Sequence, residues 1–212
     1  MELFLRAWQY AAAHAGELTA ALRDHLWLVS IAMTVSILTA VPLGVWTSRS
    51  RIVSLAAMNA INAVRVIPSL AVLFLIIPYL GLSTASAAVA LILLALPPVL
   101  INTDAAFRGI SPAVMEAARG MGMTKQQALL RVEFPLALPV ILTGIRTSAV
   151  EVIASATLAA FVGSGGLGIY ITRGFALYDY AILLVGAVPV ALLTLLSEAA
   201  LSLLQRRALP PV

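Results

Sequence analysis

EAARGMGMTKQQALLRVEFP, residues Glu116 to Pro135, is the stretch on which the reading of this chain turns. It holds Glu116, Arg119, Lys125, Arg131 and Glu133, too many charges for a bilayer-spanning segment. Ser111-Pro112 just before it makes a good helix start, with Ser as N-cap and Pro at the first helical position. Residues 113–121 favour helix apart from Gly120, and Gly122 offers a backbone break. Thr124 to Gln127 fits a capping box and starts a second short helix, expected to end near Arg131. Pro135 is expected to stop that helix and lead into the next apolar run. The expected product is two short helices at an angle. They present polar groups to the cytoplasm and Ala, Met and Leu groups to a partner or to the bilayer. By pattern alone, a plain polar loop and an amphipathic helix on the lipid surface fit as well.

The surroundings of this stretch define the class of protein. Of the 212 residues, 62% are hydrophobic and 10% are charged, where soluble domains carry about 25% charged residues. The chain is therefore read as an all-α polytopic membrane bundle. A spanning helix needs about 20 apolar residues. Five runs qualify: 26–46, 52–82, 85–101, 136–162 and 180–204. Arg65, Pro68 and Pro78 interrupt the second, which reads as one broken helix or as a short interfacial helix followed by a span. The polar stretch 102–133 is expected outside the membrane. Residues 1–24 are expected to form an extracytoplasmic segment, 25–205 the membrane domain and 206–212 a cytoplasmic tail. The opening lacks a basic region and an adequate apolar segment, so a cleaved signal peptide is not expected.

Basic residues set the orientation. With the polar stretch inside, Arg49, Arg51, Arg108, Arg119, Lys125, Arg131, Arg206 and Arg207 are cytoplasmic. Only Arg6, Arg23 and Arg173 are then outside, a split of eight against three. The N-terminus is expected outside and the C-terminus inside.

Several chemistries find no support. The chain has no cysteine, and His14 and His25 both precede the first long apolar run, so no metal cluster is expected in the membrane. No Ser/His/Asp constellation points to an intramembrane enzyme. No G-x-x-x-x-G-K-[ST] sequence is present, so ATP is expected to bind a partner. Gly163-Ser-Gly-Gly-Leu-Gly168 matches a dinucleotide fingerprint but follows a helical span with no strand–turn–helix unit around it. It reads instead as a tight turn.

Charges inside the spans default to a functional hypothesis. Counted from the inner face, Arg65 and Glu151 lie about 13 and 15 residues in, so both sit roughly 20 Å deep at about 1.5 Å per residue. They are expected to pair, across the pathway or as a salt bridge that only fixes packing. Arg146 is the third such charge. Trp27, Trp46, Phe74, Tyr79, Phe161 and Tyr180 fall mostly near helix ends, where interfacial anchoring accounts for them. No aromatic cage for a quaternary amine is read here.

Glu116-Ala117-Ala118, three residues, Gly122, nine residues, then Val132-Glu133-Phe134-Pro135 resembles the EAA loop of binding-protein-dependent ABC importer permeases. That loop reads E-A-A-x3-G-x9-I-x-L-P, with Val here for Ile and Phe for Leu. Residues 64–75 (VRVIPSLAVLFL), 116–146 and 156–168 (ATLAAFVGSGGLG) look most like the osmoprotectant branch. That branch imports glycine betaine, choline, carnitine and proline-type compounds. Arg65 departs from the small or polar residue expected there in much of that branch.

The resemblance implies a type I, MetI-like permease in a bacterial-type plasma membrane. It implies no catalysis, no cofactor and no metal. ATP would be bound by a cytoplasmic ATPase dimer, docked through Glu116, Ala117, Ala118, Gly122 and Pro135 of a coupling loop, 111–135. Gly122 would allow a close turn that a side chain blocks. A second permease, identical or homologous, and an extracytoplasmic substrate-binding protein complete the expected partners, with membrane lipid and without nucleic acid. Arg65, Pro68, Ser69, Glu151 and Thr157 are the candidate translocation path. Gly163, Gly165, Gly166 and Gly168 are a candidate outer-gate loop. A permease for another small polar solute or an amino acid is the alternative, and a stand-alone secondary transporter a more distant one.

Overall fold

The computed structural model describes residues 1–208; the last four residues of the expected tail, 209–212, lie outside the described residues. Every regular element among them is helical. Four helical stretches are long and apolar enough to cross a membrane: Ala15–Ser48, Thr84–Arg108, Lys125–Val162 and Tyr180–Arg207. A bent pair, Arg51–Val66 and Ser69–Leu80, makes a fifth candidate. The all-α bundle expected from composition is what forms.

The first span is longer than expected. Helix α1 (Glu2–Ala13) breaks at His14, and α2 runs unbroken from Ala15 to Ser48. At about 1.5 Å per residue, its 34 residues reach roughly 50 Å, well beyond a hydrocarbon core of about 30 Å. Glu17, Arg23 and Asp24 ended the apolar run in the sequence, yet nothing in 15–25 breaks a helix beyond its second residue, Gly16. Residues 1–24 are therefore no separate segment. Helix α1 lies against the last helix, where Arg6 donates to Asp179 at 3.0 Å. His25 lies inside α2, fully buried, its Nε2 donating to the Ile153 carbonyl at 3.1 Å.

The second run is a broken helix. Helix α3 (Arg51–Val66) and α4 (Ser69–Leu80) meet at 91°. Ile67 is extended, as the residue before a proline must be, and Pro68 opens the next helix. Their 16 and 12 residues span roughly 24 and 18 Å, so neither crosses alone.

Helix α5 (Thr84–Arg108) continues seven residues past the expected end of the third run, with Thr103, Asp104 and Phe107 buried. Residues 102–108 thus belong to the bundle. Their polar groups are satisfied inside it. The helices α6 (Pro112–Gly120) and α7 (Lys125–Ala128) follow. Pro135 does not stop a helix. A π-helical stretch, Leu129–Glu133, joins α7 directly to α8 (Phe134–Ser155), and Pro135 falls in the first turn of α8. There its missing N–H is cheap, because the wider π turn has already shifted the hydrogen-bond register. The fourth span then tightens to a 3-10 helix over Ala156–Val162. After the glycine loop comes α9 (Gly168–Ala176), which the sequence reading did not anticipate, and α10 (Tyr180–Ala208).

Helix α5 is the centre of the bundle and packs most extensively on α2 and α8. Small side chains set this closeness: Ala32, Ala40 and Gly44 on α2, and Ala137, Gly144 and Ser148 on α8, are all buried. Ser36 Oγ donates to the Ile92 carbonyl at 3.1 Å, and Ser148 Oγ to the Ala95 carbonyl at 3.0 Å. These bonds flank the carbonyls that Pro97 and Pro98 cannot serve. A Cβ on Gly44 would lie 2.6 Å from Thr103 Cβ, and one on Gly144 2.6 Å from the Pro98 carbonyl oxygen.

Gly144→Val is expected to destabilise the bundle by about 1–3 kcal/mol through overpacking against backbone. Thermal unfolding in detergent should show a melting temperature lower by about 2–10 °C. Gly16→Ala, where nothing lies within 4 Å of an added Cβ, should melt like the parent. Equal behaviour of the two variants would contradict the packing described.

Candidate functional site

Helix α6 ends at a left-handed turn. Gly122 has φ +75°, and Met123 N–H donates back to the Ala118 carbonyl at 3.2 Å. Nothing lies within 4 Å of a Cβ placed on Gly122. Glycine is required there by backbone conformation, not by the crowding expected from sequence. The capping box forms as read: Gln127 N–H donates to Thr124 Oγ1 at 3.3 Å, and Thr124 N–H to Gln127 Oε1 at 2.9 Å. Two short helices at a glycine turn are thus present, the second continuous with a span.

Ala118 and Ala128 are buried and fix the pair to the bundle. Glu116, Ala117, Gly122 and Pro135 are exposed, with Val114 and Met121 as apolar neighbours. Glu116 makes no side-chain hydrogen bond among the described residues, so its own helix's amides do not hold it. A groove of about 570 Å³ runs beside the loop, lined by Arg49, Met115, Arg119, Met123, Lys125 and Glu133 among others.

Two buried acids anchor this end, and the sequence reading missed both. Arg49, just past the end of α2, meets Glu133 of the π stretch at 2.7 Å. The Glu133 side chain is only 6% exposed, while half of Arg49 reaches solvent. Asp104 of α5 accepts hydrogen bonds from Thr47 of α2 and Ser54 of α3, each at 2.8 Å. Arg108 Nη1 donates to Ser54 Oγ at 2.6 Å and stands 4.0 Å from Asp104. One carboxylate thereby ties three helices. The spacing of Asp104 and Arg108 on one helix was the available signal. Nothing in the sequence paired Arg49 with Glu133, 84 positions apart.

On a half-open face of the bundle, Arg65 and Glu151 do approach, with Arg65 Nη2 3.9 Å from Glu151 Oε1. Both line a groove of about 390 Å³ whose other walls are aliphatic, including Val64, Ile67, Val72 and Leu93. The other candidate path residues lie elsewhere. Pro68 caps α4, Ser69 lines a separate narrow cleft with Ser155, and Thr157 lines a third groove beside Gly168. Arg146 is a structural charge: it meets Glu198 of α10 at 3.2 Å and donates to Gln205 Oε1 at 3.2 Å.

The glycine loop is a tight turn. Gly163, Gly165 and Gly166 have φ of +70°, +81° and +82°. An added Cβ would lie 3.4 Å from Asp24 Oδ2 at Gly165 and 3.4 Å from His25 Nδ1 at Gly166. At Gly168 it would collide with the Thr157 carbonyl. The loop is laid against α2 on one side and against the 3-10 segment on the other.

A continuous α7–π–α8 element carrying an exposed loop, on a bundle with a broken second span, is the geometry of a polytopic membrane subunit with a docking loop at one end. Residues 32–210 match the family described as "Binding-protein-dependent transport system inner membrane component", and the chain belongs to that family. It is 44% identical to the carnitine transport permease protein OpuCB of Listeria monocytogenes, over 88% of this chain and 86% of that one. It is 40% identical to the glycine betaine/carnitine/choline transport system permease protein OpuCB of Bacillus subtilis, over 93% and 91% of the two chains. The choline transport system permease protein OpuBB of the same organism is 39% identical over 95% and 93%. Among solved structures, the inward-facing MetNI methionine ABC transporter superposes with a TM-score of 0.82 at 23% identity, covering 93% of this chain and 99% of that one. That likeness establishes the fold.

Arg49→Gln is expected to destabilise the cytoplasmic end by about 1.5–3 kcal/mol, because it leaves a buried carboxylate unpaired. Arg49→Gln combined with Glu133→Gln should recover at least half of that loss. A double-mutant cycle on thermal unfolding in detergent measures it, and additive losses would show that the two groups are not coupled.

Proposed function

We propose that this permease subunit forms half of the translocation path of an ATP-driven importer for an osmoprotectant such as glycine betaine, choline, carnitine or proline. The single observation that carries the substrate class is the identity of 39–44% to permeases named for carnitine, glycine betaine and choline transport. The chain supplies no catalytic group and needs no cofactor; the partner subunits bind and hydrolyse ATP. The alternative within the same class is another small polar solute or an amino acid.

Coupling runs through the exposed face of α6. Glu116 and Ala117, with Gly122 and Pro135 at the two turns, face a cytoplasmic ATPase dimer. The rigid join of α7 to α8 supports this role, since a lever that transmits force has to be stiff where it meets the span. Orientation follows the basic residues, with the loop and C-terminus cytoplasmic and the N-terminus outside. A second permease, identical or homologous, stands across a two-fold axis, the commonest symmetry for such pairs. The broken helix, with Arg65, Pro68 and Ser69, lines the path together with Glu151 and Thr157. Gly163, Gly165, Gly166 and Gly168 form the turn at the outer gate, where an extracytoplasmic binding protein delivers solute.

Two measurements test this. Proteoliposomes holding the permease, its ATPase and its binding protein should take up a labelled quaternary amine only with ATP on the ATPase side; uptake without ATP would overturn the reading. In the same assay Gly122→Asp should lower uptake at least tenfold while the protein still inserts, whereas Gly120→Ala, with open space around it, should transport normally. Normal uptake by Gly122→Asp would remove the coupling role of that turn.

A further inference from the structure

Resting on the proposed function, the geometry points to a zwitterion clamp: we infer that the groove between α3, α5 and α8 binds a small solute carrying a carboxylate and a quaternary ammonium. Arg65 receives the carboxylate and Glu151 faces the ammonium.

The pair itself is the first reason. At 3.9 Å, Arg65 and Glu151 attract each other but make no hydrogen bond. Among the described residues neither side chain takes part in any other hydrogen bond. Three other arginines of the spans and their cytoplasmic ends are committed: Arg49 meets Glu133 at 2.7 Å, Arg146 meets Glu198 at 3.2 Å, and Arg108 donates to Ser54 at 2.6 Å. Arg65 keeps its planar fork of donors open, and that fork matches a carboxylate in two-point geometry. Glu151 keeps its oxygens for a cation that cannot itself donate a hydrogen bond.

The walls are the second reason. The groove holds about 390 Å³, at the small end of the range for small-molecule sites. Apart from Arg65 and Glu151 its lining is aliphatic, with Val64, Ile67, Val72 and Leu93 among the walls. Methyl groups on nitrogen pack against such walls without losing hydrogen bonds. No aromatic ring lines the groove, so the cation's attraction has to come from Glu151 and not from a π face. An uncharged solute would leave both charges facing an apolar wall, and the sparse hydrogen bonding there would make that costly.

The break between α3 and α4 is the third. Ile67, the extended residue of the 91° bend, is part of the wall. Arg65 therefore sits in the last turn of a helix that ends at the mouth of the groove, half exposed, with its guanidinium turned toward Glu151.

The test is solute selectivity of the complete importer in proteoliposomes. Uptake of glycine betaine, which has both charges, is compared with uptake of choline, which has the cation and no carboxylate. The binding protein is saturated with each solute in turn, so a change in ratio reports the permease. Arg65→Gln should shift the glycine betaine to choline ratio at least tenfold against glycine betaine. Arg65→Lys, which retains the charge, should shift it less than threefold. Glu151→Gln should lower uptake of both solutes at least tenfold. Arg146→Gln, on the opposite side of α8's contacts, should leave the ratio where it was. A parallel loss of both solutes in Arg65→Gln overturns the clamp. Independently, labelled glycine betaine should bind saturably to the permease–ATPase complex in nanodiscs without binding protein, at least tenfold more weakly in Arg65→Gln. Absence of that binding in the parent complex also overturns it. If the parent importer shows no ATP-driven uptake of any such solute, the proposed function fails, while the binding measurement still decides the clamp.

Discussion

The close approach of α5 to α2 and α8 is the constraint on which the rest of this structure depends. In a membrane the bundle has no hydrophobic drive between its helices, since lipid tails are as apolar as leucine. Cohesion has to come from contact and from internal hydrogen bonds. Glycines and alanines allow the contact, at Gly44 against Thr103 and Gly144 against Pro98. Ser36 and Ser148 supply the bonds, reaching the carbonyls on either side of the two that the paired prolines of α5 leave without a helical donor. A larger side chain at either glycine would separate the helices and unmake the serine bonds as well.

The cytoplasmic end uses a different device. Asp104 gathers α2 and α3 by their hydroxyls, and Glu133 is gripped by Arg49. Each acid is almost fully buried. Such groups are costly unless every partner is in place, which makes the arrangement specific as well as cohesive. The exposed loop is thereby tied at two points. Glu133 fixes the π stretch to the end of α2, and Asp104 fixes α5 just before the loop begins.

Much of this was legible in the residues. The apolar runs marked the four spanning helices and the bent pair, and the glycine and capping signals marked the two loop helices. The EAA pattern pointed to the family. The misreadings share one cause. Glu17, Arg23, Asp24 and the polar residues 102–108 looked like the edges of the membrane. They are continuations of helices whose polar groups find partners only in three dimensions, or whose ends project beyond the bilayer. Pro135 looked like a stop because a proline interrupts an α-helix; a π turn absorbs that conflict, and no propensity scale encodes it. His25 looked peripheral for the same reason as Asp24 and is in fact buried where α2 meets α8. Of the five candidate path residues, only Arg65 and Glu151 share a groove, because sequence depth gives height along a helix but not the direction in which it faces.

By itself, then, the sequence determined the solvent, the class and the order of the apolar runs. Those follow from local quantities: charge density, apolar run length, the backbone freedom of Gly122 and the capping chemistry of Thr124. Only the tertiary structure decided which charges meet. Arg65 with Glu151, Arg49 with Glu133 and Arg146 with Glu198 are separated by 86, 84 and 52 positions. Such pairings depend on helix rotation and on the bend at Ile67–Pro68, and both are set by packing contacts that no single segment contains.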